Sequence, residues 1–375
     1  MKLIERQLRK SLFQQWDSGK VLIVLGPRQA GKTTLIESIC REKGSFLFLN
    51  GDDPEIRAIL EDAGENKLNR IIGKHETVFI DEAQRIKDIG LMSKIIHDRL
   101  KDKRLVISGS SSLELTDEMN EPLTGRKWEH LLYPISWKEL VDYAGYVKAR
   151  SQLHTRLVYG MYPEVIMQED NAQNVLKSLT GSYLYKDLLR HEGVRKPELL
   201  EKLLIALALQ IGSEVNFNEL ANLLRVDRAT VERYIDLLEK TFVIFKLRPL
   251  SRNLRNELSS GRKIYFYDNG IRNALIGDFK FPELRNDIGR LWENFIISER
   301  QKRNNYRNWH GRSWFWRTYQ QQEIDLIEEI DGSFSAFETK WKQYRKVKFP
   351  RTFTGNYKPA TTLAITPENF DDFLE

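Results

Sequence analysis

Residues 26–33 read Gly-Pro-Arg-Gln-Ala-Gly-Lys-Thr, a complete G-x-x-x-x-G-K-[ST] motif. The chemistry that fits this spacing is phosphate binding. Glycines let backbone N–H groups surround an anion, Lys32 reaches the β- and γ-phosphates, and the Thr33 hydroxyl ligates Mg²⁺. An apolar strand, Val21–Leu25, precedes the motif and a helix follows it, so the helix N-terminus faces the anion. The predicted contacts to ATP are Gly26, Pro27, Arg28, Gln29, Ala30, Gly31, Lys32, Thr33 and Thr34.

Two carboxylates end a second apolar strand that runs from Thr77 to Asp81 and is followed by Glu82. Asp81 is predicted to hold Mg²⁺ through water, together with Thr33. Glu82 is predicted to polarise the attacking water as a general base. The alternative is a strand followed by a helix-capping aspartate. With the P-loop upstream, the pair favours ATP hydrolysis.

Two further residues are candidates for the same reaction. A third strand over residues 104–108 ends in a serine-rich tip, where Ser110, or Ser108 as second choice, is predicted to sense the γ-phosphate. Arg126 follows that strand and is a candidate arginine finger for the ATP of a neighbouring subunit. Its alternative role is a salt-bridged surface arginine, and the sequence does not decide between them. The predicted catalytic set of this site is Lys32, Glu82, Ser110 and Arg126.

Composition limits the class of protein. The chain has 375 residues, of which 41% are hydrophobic and 30% charged, which is typical of folded proteins with two or three domains. Cys40 is the sole cysteine, which excludes an intramolecular disulfide and a cysteine-based metal site. No apolar run approaches the length of a membrane span, and no signal-peptide core is present. These features predict a cytoplasmic protein without membrane contact.

Alternation of strands and helices through the first 134 residues predicts an α/β fold with a doubly wound parallel sheet. Residues 135–195 have a mainly helical pattern and are predicted to form a lid over the nucleotide. Residues 196–268 contain three short helices followed by two strands, the plan of a winged helix-turn-helix. Arg225, Arg228 and Arg233 would lie on or before its recognition helix.

The predicted wing also favours DNA as a partner. Its hairpin tip, residues 248–263, carries five basic residues and one acid. Such a cluster suits a phosphate backbone. The alternative is an adaptor that uses the winged-helix shape for protein contacts.

An Asp331-Gly332 pair between two alternating runs near the end of the sequence is a strong signal for a two-residue hairpin. That turn would place Ile330 opposite Ser333. Counting back along both strands, Asp325 faces Glu338 and Glu323 faces Lys340.

The facing acids suggest metal chemistry. A D…E-x-K set, here Asp325, Glu338 and Lys340, can bind Mg²⁺ or Mn²⁺ through its acids, while the lysine positions or activates water for phosphodiester attack. Two carboxylates this close repel unless a cation or proton lies between them. The alternative is a solvated face on which Lys340 neutralises Glu323 and Asp325.

Basic and aromatic residues surround this hairpin. Residues 300–317 hold six Lys or Arg and no acid. This pattern predicts nucleic-acid binding with base stacking. The aromatic residues of the segment are Tyr306, Trp309, Trp314, Phe315 and Trp316.

Six sequence blocks occur together: GPRQAGKTTL, VFIDEAQ, ISGSSS, LTGR, LLYPISWKEL and KIYFYDNGIRNALIG. Over essentially the whole chain they resemble prokaryotic ATP-binding proteins that join an AAA+ ATPase domain to a C-terminal domain of unknown function. The resemblance implies an AAA+ core, a winged helix, and a terminal domain of the restriction-endonuclease-like PD-(D/E)XK superfamily. It makes Lys32 and Thr33 the Walker A pair, and Asp81 and Glu82 the Walker B pair.

For the last domain, residues 269–375, the resemblance implies Glu293, Asp325 and Glu338 as metal ligands and Lys340 as the catalytic lysine. One departure is Ser110, which replaces the asparagine usual at the sensor position. AAA+ proteins usually form rings, so the resemblance implies a homo-oligomer, with a hexamer expected.

These observations predict an Mg²⁺-dependent ATPase that binds DNA and couples hydrolysis to remodelling or translocation. A metal-dependent nuclease activity of the last domain is an additional prediction. The alternative is a nucleotide-dependent switch that binds DNA or a protein partner without translocation or cleavage.

Overall fold

The computed structural model describes residues 3–110, 119, 121–184, 196–251, 261–342 and 347–375, with the side chains of residues 182–184 excepted. The chain forms two compact units. The first contains residues 3–135 and 240–242, and the second contains residues 136–239 and 243–375. Within the described part of the chain, no helix is long and apolar enough to cross a lipid bilayer.

In the part of the first unit that the structure describes, five α-helices and five strands have defined bounds. The helices are α1 (Leu8–Gln15), α2 (Lys32–Lys43), α3 (Pro54–Leu60), α4 (Glu65–Ile72) and α5 (Ile89–Arg99). The strands are β1 (Val21–Leu25), β2 (Phe46–Asn50), β3 (Thr77–Asp81), β4 (Arg104–Gly109) and β5 (Lys127–Leu131).

These strands form one parallel sheet in the order β2-β3-β4-β1-β5. Every residue of β1 and β3 is buried, which is why both strands read as continuous apolar runs rather than alternating ones. The predicted parallel α/β architecture of this region is confirmed. Because all five strands point the same way, the polar ends of β1, β3 and β4 lie along one edge.

Cys40 lies on the helix that follows the P-loop and is 1% exposed. Burial raises the pKa of its thiol to about 12, so almost no reactive thiolate exists at neutral pH. We expect the native protein to resist a thiol reagent such as DTNB at pH 8 and to react fully in denaturant. Fast reaction of the native protein, measured by absorbance, would contradict this burial.

The second unit begins with short helices. They are α6 (Trp137–Ala144), α7 (Tyr146–Ser151), α8 (Leu153–Tyr159), α9 (Pro163–Met167) and α10 (Ala172–Ser178), followed by a π-helical turn over Leu179–Leu184. Ser136 and Glu139 form a reciprocal capping box that starts α6. The Asn273 amide donates to the carbonyl oxygens of Leu157 and Val158, which ties α8 to a helix much later in the chain.

The described part of this unit continues with further helices and with seven strands. The helices are α11 (Pro197–Leu209), α12 (Phe217–Leu224), α13 (Arg228–Lys240), α14 (Asn269–Ile276), α15 (Ile288–Tyr306) and α16 (Arg351–Tyr357), with α17 (Phe370–Leu374) at the end. The strands are β6 (Glu214–Val215), β7 (Ile244–Pro249), β8 (Arg262–Phe266), β9 (Arg312–Arg317), β10 (Glu323–Ile330), β11 (Ser333–Thr339) and β12 (Thr361–Ile365).

All seven strands belong to one mixed sheet in the order β12-β11-β10-β9-β7-β8-β6. The sequence predicts a domain boundary after residue 268, between the wing and the last domain. In the structure, the strands from both sides of that boundary share this sheet, because β7 pairs with β9 in parallel. Pairing between distant strands leaves no local signal, so composition alone did not indicate this continuity.

The Asp331-Gly332 hairpin has the predicted register. Ile330 pairs with Ser333, and the pairing continues to Leu326 with Phe337. Both turn residues have positive φ, 50° and 78°, as a type I′ turn requires. On its other side β10 pairs with β9, and the register shifts between Ile324 and Ile327. This irregularity lies at Asp325, one of the predicted metal ligands.

The aromatic segment is mostly core. Phe315 is fully buried, and Trp314 and Trp316 are each 7% exposed. The two tryptophans pack with Ile324, Ile327, Ala336 and Phe353 in one apolar cluster. The expectation that these three rings stack on nucleic-acid bases is therefore wrong. Trp314 and Trp316 lie on one face of β9 and Phe315 on the other, so burial of both faces of this strand explains the three aromatic residues instead.

Candidate functional site

The loop between β1 and α2 follows a path that two glycines permit. Gly31 has φ of 93° and Gly26 has φ of 154°, both in the region that favours glycine. A Cβ atom at Gly26 would lie 2.0 Å from the carbonyl oxygen of Leu132. The loop therefore excludes larger side chains at both positions. Because α2 starts at once, its unpaired N–H groups are available to an anion.

Lys32 is the first residue of α2 and is 5% exposed. Its Nζ donates to the carbonyl oxygens of Gly26 at 2.9 Å and Pro27 at 3.0 Å. These bonds hold the ammonium group within the loop. The charge of a bound phosphate would be neutralised there, as the motif predicts.

The oxygen atoms predicted to bind Mg²⁺ lie close to one another in the structure. Thr33 Oγ1 donates to Asp81 Oδ2 at 2.7 Å, although 48 positions separate the two residues. The other carboxylate oxygen, Asp81 Oδ1, accepts from Ser108 Oγ. Hydroxyl and carboxylate oxygens are the donors that Mg²⁺ prefers, so the donor set fits this ion. Ser108, the second choice for the sensor, therefore donates to the predicted magnesium ligand, and its role toward the γ-phosphate stays a prediction.

Glu82 is held by a small hydrogen-bonded group that we call the Glu82 triad: Glu82, Gln84 and Ser110. Gln84 Nε2 donates to Glu82 Oε2 at 2.6 Å and to Ser110 Oγ at 2.9 Å. Ser110 Oγ also donates to Glu82 Oε2, at 3.1 Å. The predicted base and the predicted sensor are therefore in direct contact. The remaining amide oxygen, Gln84 Oε1, is buried and has no hydrogen-bond partner among the residues that the structure describes.

A second polar site lies in the sheet of the second unit. We call it the Lys263 cluster, consisting of Lys263, Glu293, Glu323 and Asp325. Lys263 Nζ bonds Glu293 Oε1 at 2.9 Å, pairs with Glu323 Oε1, and lies 3.6 Å from Asp325 Oδ1. The lysine is 1% exposed, so its charge is neutralised by these three acids and not by water.

The other oxygens of the cluster also have partners. The Tyr265 hydroxyl donates to Glu293 Oε1 at 2.6 Å. Asp325 Oδ2 accepts from the backbone N–H of Thr339 at 2.8 Å and from its hydroxyl at 2.9 Å. The structure therefore supplies protein donors to both acids.

Glu338 and Lys340 form a separate pair beside the cluster, with Nζ 2.7 Å from Glu338 Oε2. In the alternative reading Lys340 neutralises Glu323, but in the structure Glu323 pairs with Lys263 and Lys340 pairs with Glu338. Among the residues the structure describes, no three His, Cys, Asp or Glu side chains form a group that could hold a metal ion. The predicted ligands Glu293, Asp325 and Glu338 do not form such a group.

Burial raises the pKa values of Glu293 and Glu338 and so changes their protonation at neutral pH. Burial and the charge of Asp325 together raise the pKa of Glu293 to about 7, against the opposing charge of Lys263. The pKa of Glu338 is likewise raised to about 7 by burial and by Asp325, while Lys340 opposes the shift. At neutral pH both groups are thus partly protonated, which relieves repulsion between the acids.

Comparison with known families divides the chain into three. Residues 18–141 match the model of an AAA domain, and residues 150–281 and 288–374 match two domains of unknown function, DUF8612 and DUF4143. The AAA match contains the P-loop, Asp81 and the Glu82 triad. Residues 18–141 are an AAA-type P-loop ATPase domain.

A solved structure shares the fold of this chain. The Walker-type ATPase PABY2304 of Pyrococcus abyssi matches 73% of the chain and 96% of its own length, with a TM-score of 0.53 and 15% identity. At that identity the match supports the ATPase fold alone.

Two relatives in sequence are named only as uncharacterized proteins. A protein of Mycobacterium tuberculosis is 29% identical over 352 residues, covering 90% of this chain and 74% of the relative. One of Haemophilus influenzae is 26% identical over 292 residues, covering 72% of each. These relatives add no activity beyond that of the AAA domain.

Arg126 lies far from its own P-loop. It precedes β5, and its carbonyl oxygen accepts from the N–H of Val21, the first residue of β1. The P-loop follows the opposite end of β1, a strand about 15 Å long. Arg126 Nε donates to Asp98 at 2.9 Å. Contact with its own nucleotide is therefore excluded, and a role toward a neighbouring subunit stays a prediction.

Sequence reasoning missed three functional candidates. The sequence indicates no separate role for Gln84 within the VFIDEAQ block, and it places Lys263 only among the basic residues of the predicted wing. Arg6 donates to the carbonyl oxygens of Ala30 and Tyr133, both at 2.6 Å, and so braces the P-loop. Each acts through contacts with residues far along the chain, which spacing within a motif does not indicate.

Replacing Gln84 with alanine tests the Glu82 triad. Loss of a hydrogen bond to a charged group, about 1.5–3 kcal/mol, predicts a fall in kcat of roughly 10- to 150-fold. Affinity for a fluorescent ATP analogue should not change, since Gln84 does not belong to the P-loop. Asn69→Ala, an exposed amide on α4, is the matched control. An unchanged kcat would show that the triad does not position Glu82.

Proposed function

We propose that this protein is an Mg²⁺-dependent AAA+ ATPase that binds DNA and uses ATP hydrolysis to remodel it or move along it. The observation that carries the hydrolytic part is the Glu82 triad, which lies at the same sheet edge as the P-loop and the Thr33–Asp81 pair. Cleavage of DNA is not part of the proposal, because Lys263 lies among the carboxylates that would bind the metal ion.

Each residue of the ATP site has a separate role in hydrolysis. The P-loop backbone and Lys32 bind and orient the phosphates. Thr33 and Asp81 would hold Mg²⁺, which neutralises charge on the phosphate oxygens when bound. Glu82 takes a proton from the attacking water, and Gln84 Nε2 fixes the Glu82 carboxylate for this task. Gln84 Oε1, buried and without a partner in the described part of the chain, suits a second contact to that water.

Two observations support the DNA-binding part. Helix α11, strand β6, helices α12 and α13, and the strands β7 and β8 follow one another in the order of a winged helix-turn-helix, and β6 pairs with β8. Arg225, Arg228 and Arg233 are exposed on or before α13, where they can reach phosphates. Asp227 caps α13 by accepting from the N–H of Thr230 at 2.7 Å. Residues 252–260 of the basic wing lie outside the described part.

DNA binding is tested by fluorescence anisotropy with labelled duplex and single-stranded DNA at several salt concentrations. Replacing Arg225, Arg228 and Arg233 with alanine should weaken binding and reduce the salt slope by roughly one for each phosphate that is no longer bound. The matched control replaces three exposed lysines of the first unit, Lys10, Lys74 and Lys101, with alanine. Equal weakening in both variants would show general electrostatics instead of a winged-helix interface.

Coupling between DNA binding and ATP hydrolysis is tested separately by ATPase assays with and without DNA. The proposal expects DNA to change kcat in the wild type, and expects this change to disappear in the triple arginine variant. An ATPase rate that is the same with single-stranded, duplex and branched DNA would contradict it.

The alternative is a nucleotide-dependent switch that contacts a protein partner. Two exposed leucines on the same helices favour it: Leu209 is 57% exposed and Leu223 is 66% exposed. The switch predicts slow turnover and an assembly state that ATP stabilises, with no response to DNA. Analytical ultracentrifugation with ATP, with ADP and without nucleotide measures that state.

We also propose a homo-oligomeric ring, with a hexamer expected, in which Arg126 contacts the ATP of the neighbouring subunit. The position of Arg126 at the sheet edge opposite its own P-loop supports this assignment. In a ring, ATPase activity per chain should rise with protein concentration. Mixing Arg126→Ala chains into wild type should then lower activity more than in proportion to their fraction.

A further inference from the structure

The positive charge at the centre of the Lys263 cluster is a side chain of the protein, the ammonium group of Lys263. Lys263 Nζ lies within 4 Å of oxygen atoms from three acids: Glu293 of helix α15, and Glu323 and Asp325 of strand β10. In a metal-dependent phosphodiesterase, a divalent ion would neutralise such acids. Here an ammonium group occupies that position.

The backbone fixes the lysine there. Lys263 is the second residue of β8 and pairs with Leu247 of β7 and with Glu214 of β6. Side chains two positions apart on a strand share a face, so Tyr265 points the same way and also bonds Glu293. With neighbours on both sides, β8 cannot move aside without breaking the sheet.

Burial makes the ammonium hard to displace. Lys263 is 1% exposed, so it cannot turn toward water when an ion arrives. Displacing it would leave an unpaired charge in the protein interior, which is costly. Other protein donors already occupy Glu293 Oε1 and Asp325 Oδ2.

We propose that Lys263 serves as the built-in cation of this cluster and excludes divalent metal ions from it. The cluster is then a structural centre in which one ammonium group offsets part of the charge of three acids. The unit that contains it does not cut phosphodiester bonds by a metal-dependent reaction. This inference is independent of ATP hydrolysis in the first unit.

Binding of Mn²⁺ without nucleotide tests the proposal, with free Mn²⁺ measured by electron paramagnetic resonance. A Thr33→Ala background removes a contribution from the P-loop. We expect no Mn²⁺ binding that depends on Asp325 in this background. Adding Lys263→Met should create binding at least about tenfold tighter, the lower end of what changes beside metal ligands produce. Asp325→Asn should abolish the gain.

Lys302→Met is the matched control, because Lys302 is equally buried at 1% and pairs with an acid, Glu299, elsewhere in the unit. It should create no Mn²⁺ site. Lys263→Gln repeats the test should the methionine variant unfold, and circular dichroism reports folding of each.

Three results would overturn the proposal. The first is Mn²⁺ binding by the Thr33→Ala protein that Asp325→Asn removes. The second is no gain in folded Lys263→Met or Lys263→Gln. The third is DNA cleavage in Mg²⁺ or Mn²⁺ that Asp325→Asn abolishes, because a working metal site would then exist beside Lys263.

Discussion

Replacing Glu82 with glutamine is expected to lower kcat for ATP hydrolysis by about 10²- to 10⁴-fold, the usual contribution of a general base. Glutamine keeps the shape of the side chain and an oxygen that can accept from Gln84 Nε2, but its amide cannot take a proton from water. The fold and the P-loop contacts should stay intact. Phosphate release measured at saturating ATP gives kcat directly.

Nucleotide binding separates the role of Glu82 from that of the P-loop. Glu82→Gln should bind a fluorescent ATP analogue as the wild type does, whereas Lys32→Ala should bind it weakly, because the variant lacks the ammonium group that neutralises the phosphates. Glu65→Gln, an exposed acid on α4, is the control for a changed charge. If Glu82→Gln kept wild-type kcat, another group would have to be the base.

Replacing Lys263 with alanine is expected to destabilise the protein by about 3–5 kcal/mol, the cost of removing one partner from a buried charge pair. For a unit of this size the change corresponds to a fall in melting temperature of roughly 6–20 °C. The reason is that Glu293, Glu323 and Asp325 would no longer have their shared counter-charge. Thermal unfolding followed by tryptophan fluorescence reports on this unit through Trp314 and Trp316.

The matched control is Lys340→Ala. Lys340 also pairs with a cluster neighbour, Glu338, but its side chain is 41% exposed, so water can replace it. Its removal should cost about 1 kcal/mol or less. Equal destabilisation by both variants would mean that burial of Lys263 is not what makes it important.

The pH dependence gives a second readout for Lys263→Ala. Burial and Asp325 hold the pKa of Glu293 at about 7 even with Lys263 present. Without the lysine, the acids can avoid repulsion only by taking up protons, which they do more readily as pH falls. The deficit in stability against wild type should therefore shrink from pH 8 to pH 5. A deficit independent of pH would indicate impaired packing instead of a missing charge.

Local rules were enough to predict much of the fold. The strand, glycine loop and helix around residues 21–43 follow from an apolar run and from the backbone freedom of Gly26 and Gly31. The register of β10 and β11 follows from the two residues Asp331 and Gly332, because a two-residue turn leaves one pairing. Each of these signals lies within about ten residues of the structure it predicts.

Only the tertiary structure determined which charged and polar side chains contact one another. Lys263 and Glu293 are separated by 30 positions and come from a strand and a helix that have no common motif. The same holds for Gln84 and Ser110, which are brought together by neighbouring parallel strands. Side-chain partners depend on packing between distant segments. Composition predicts a nucleic-acid surface near β9, but Trp314 and Trp316 are buried in the sheet, whereas Arg312 and Arg317 of the same strand are exposed. The sequence by itself determined the ATP site, whereas only folding decided that a lysine occupies the centre of the second site.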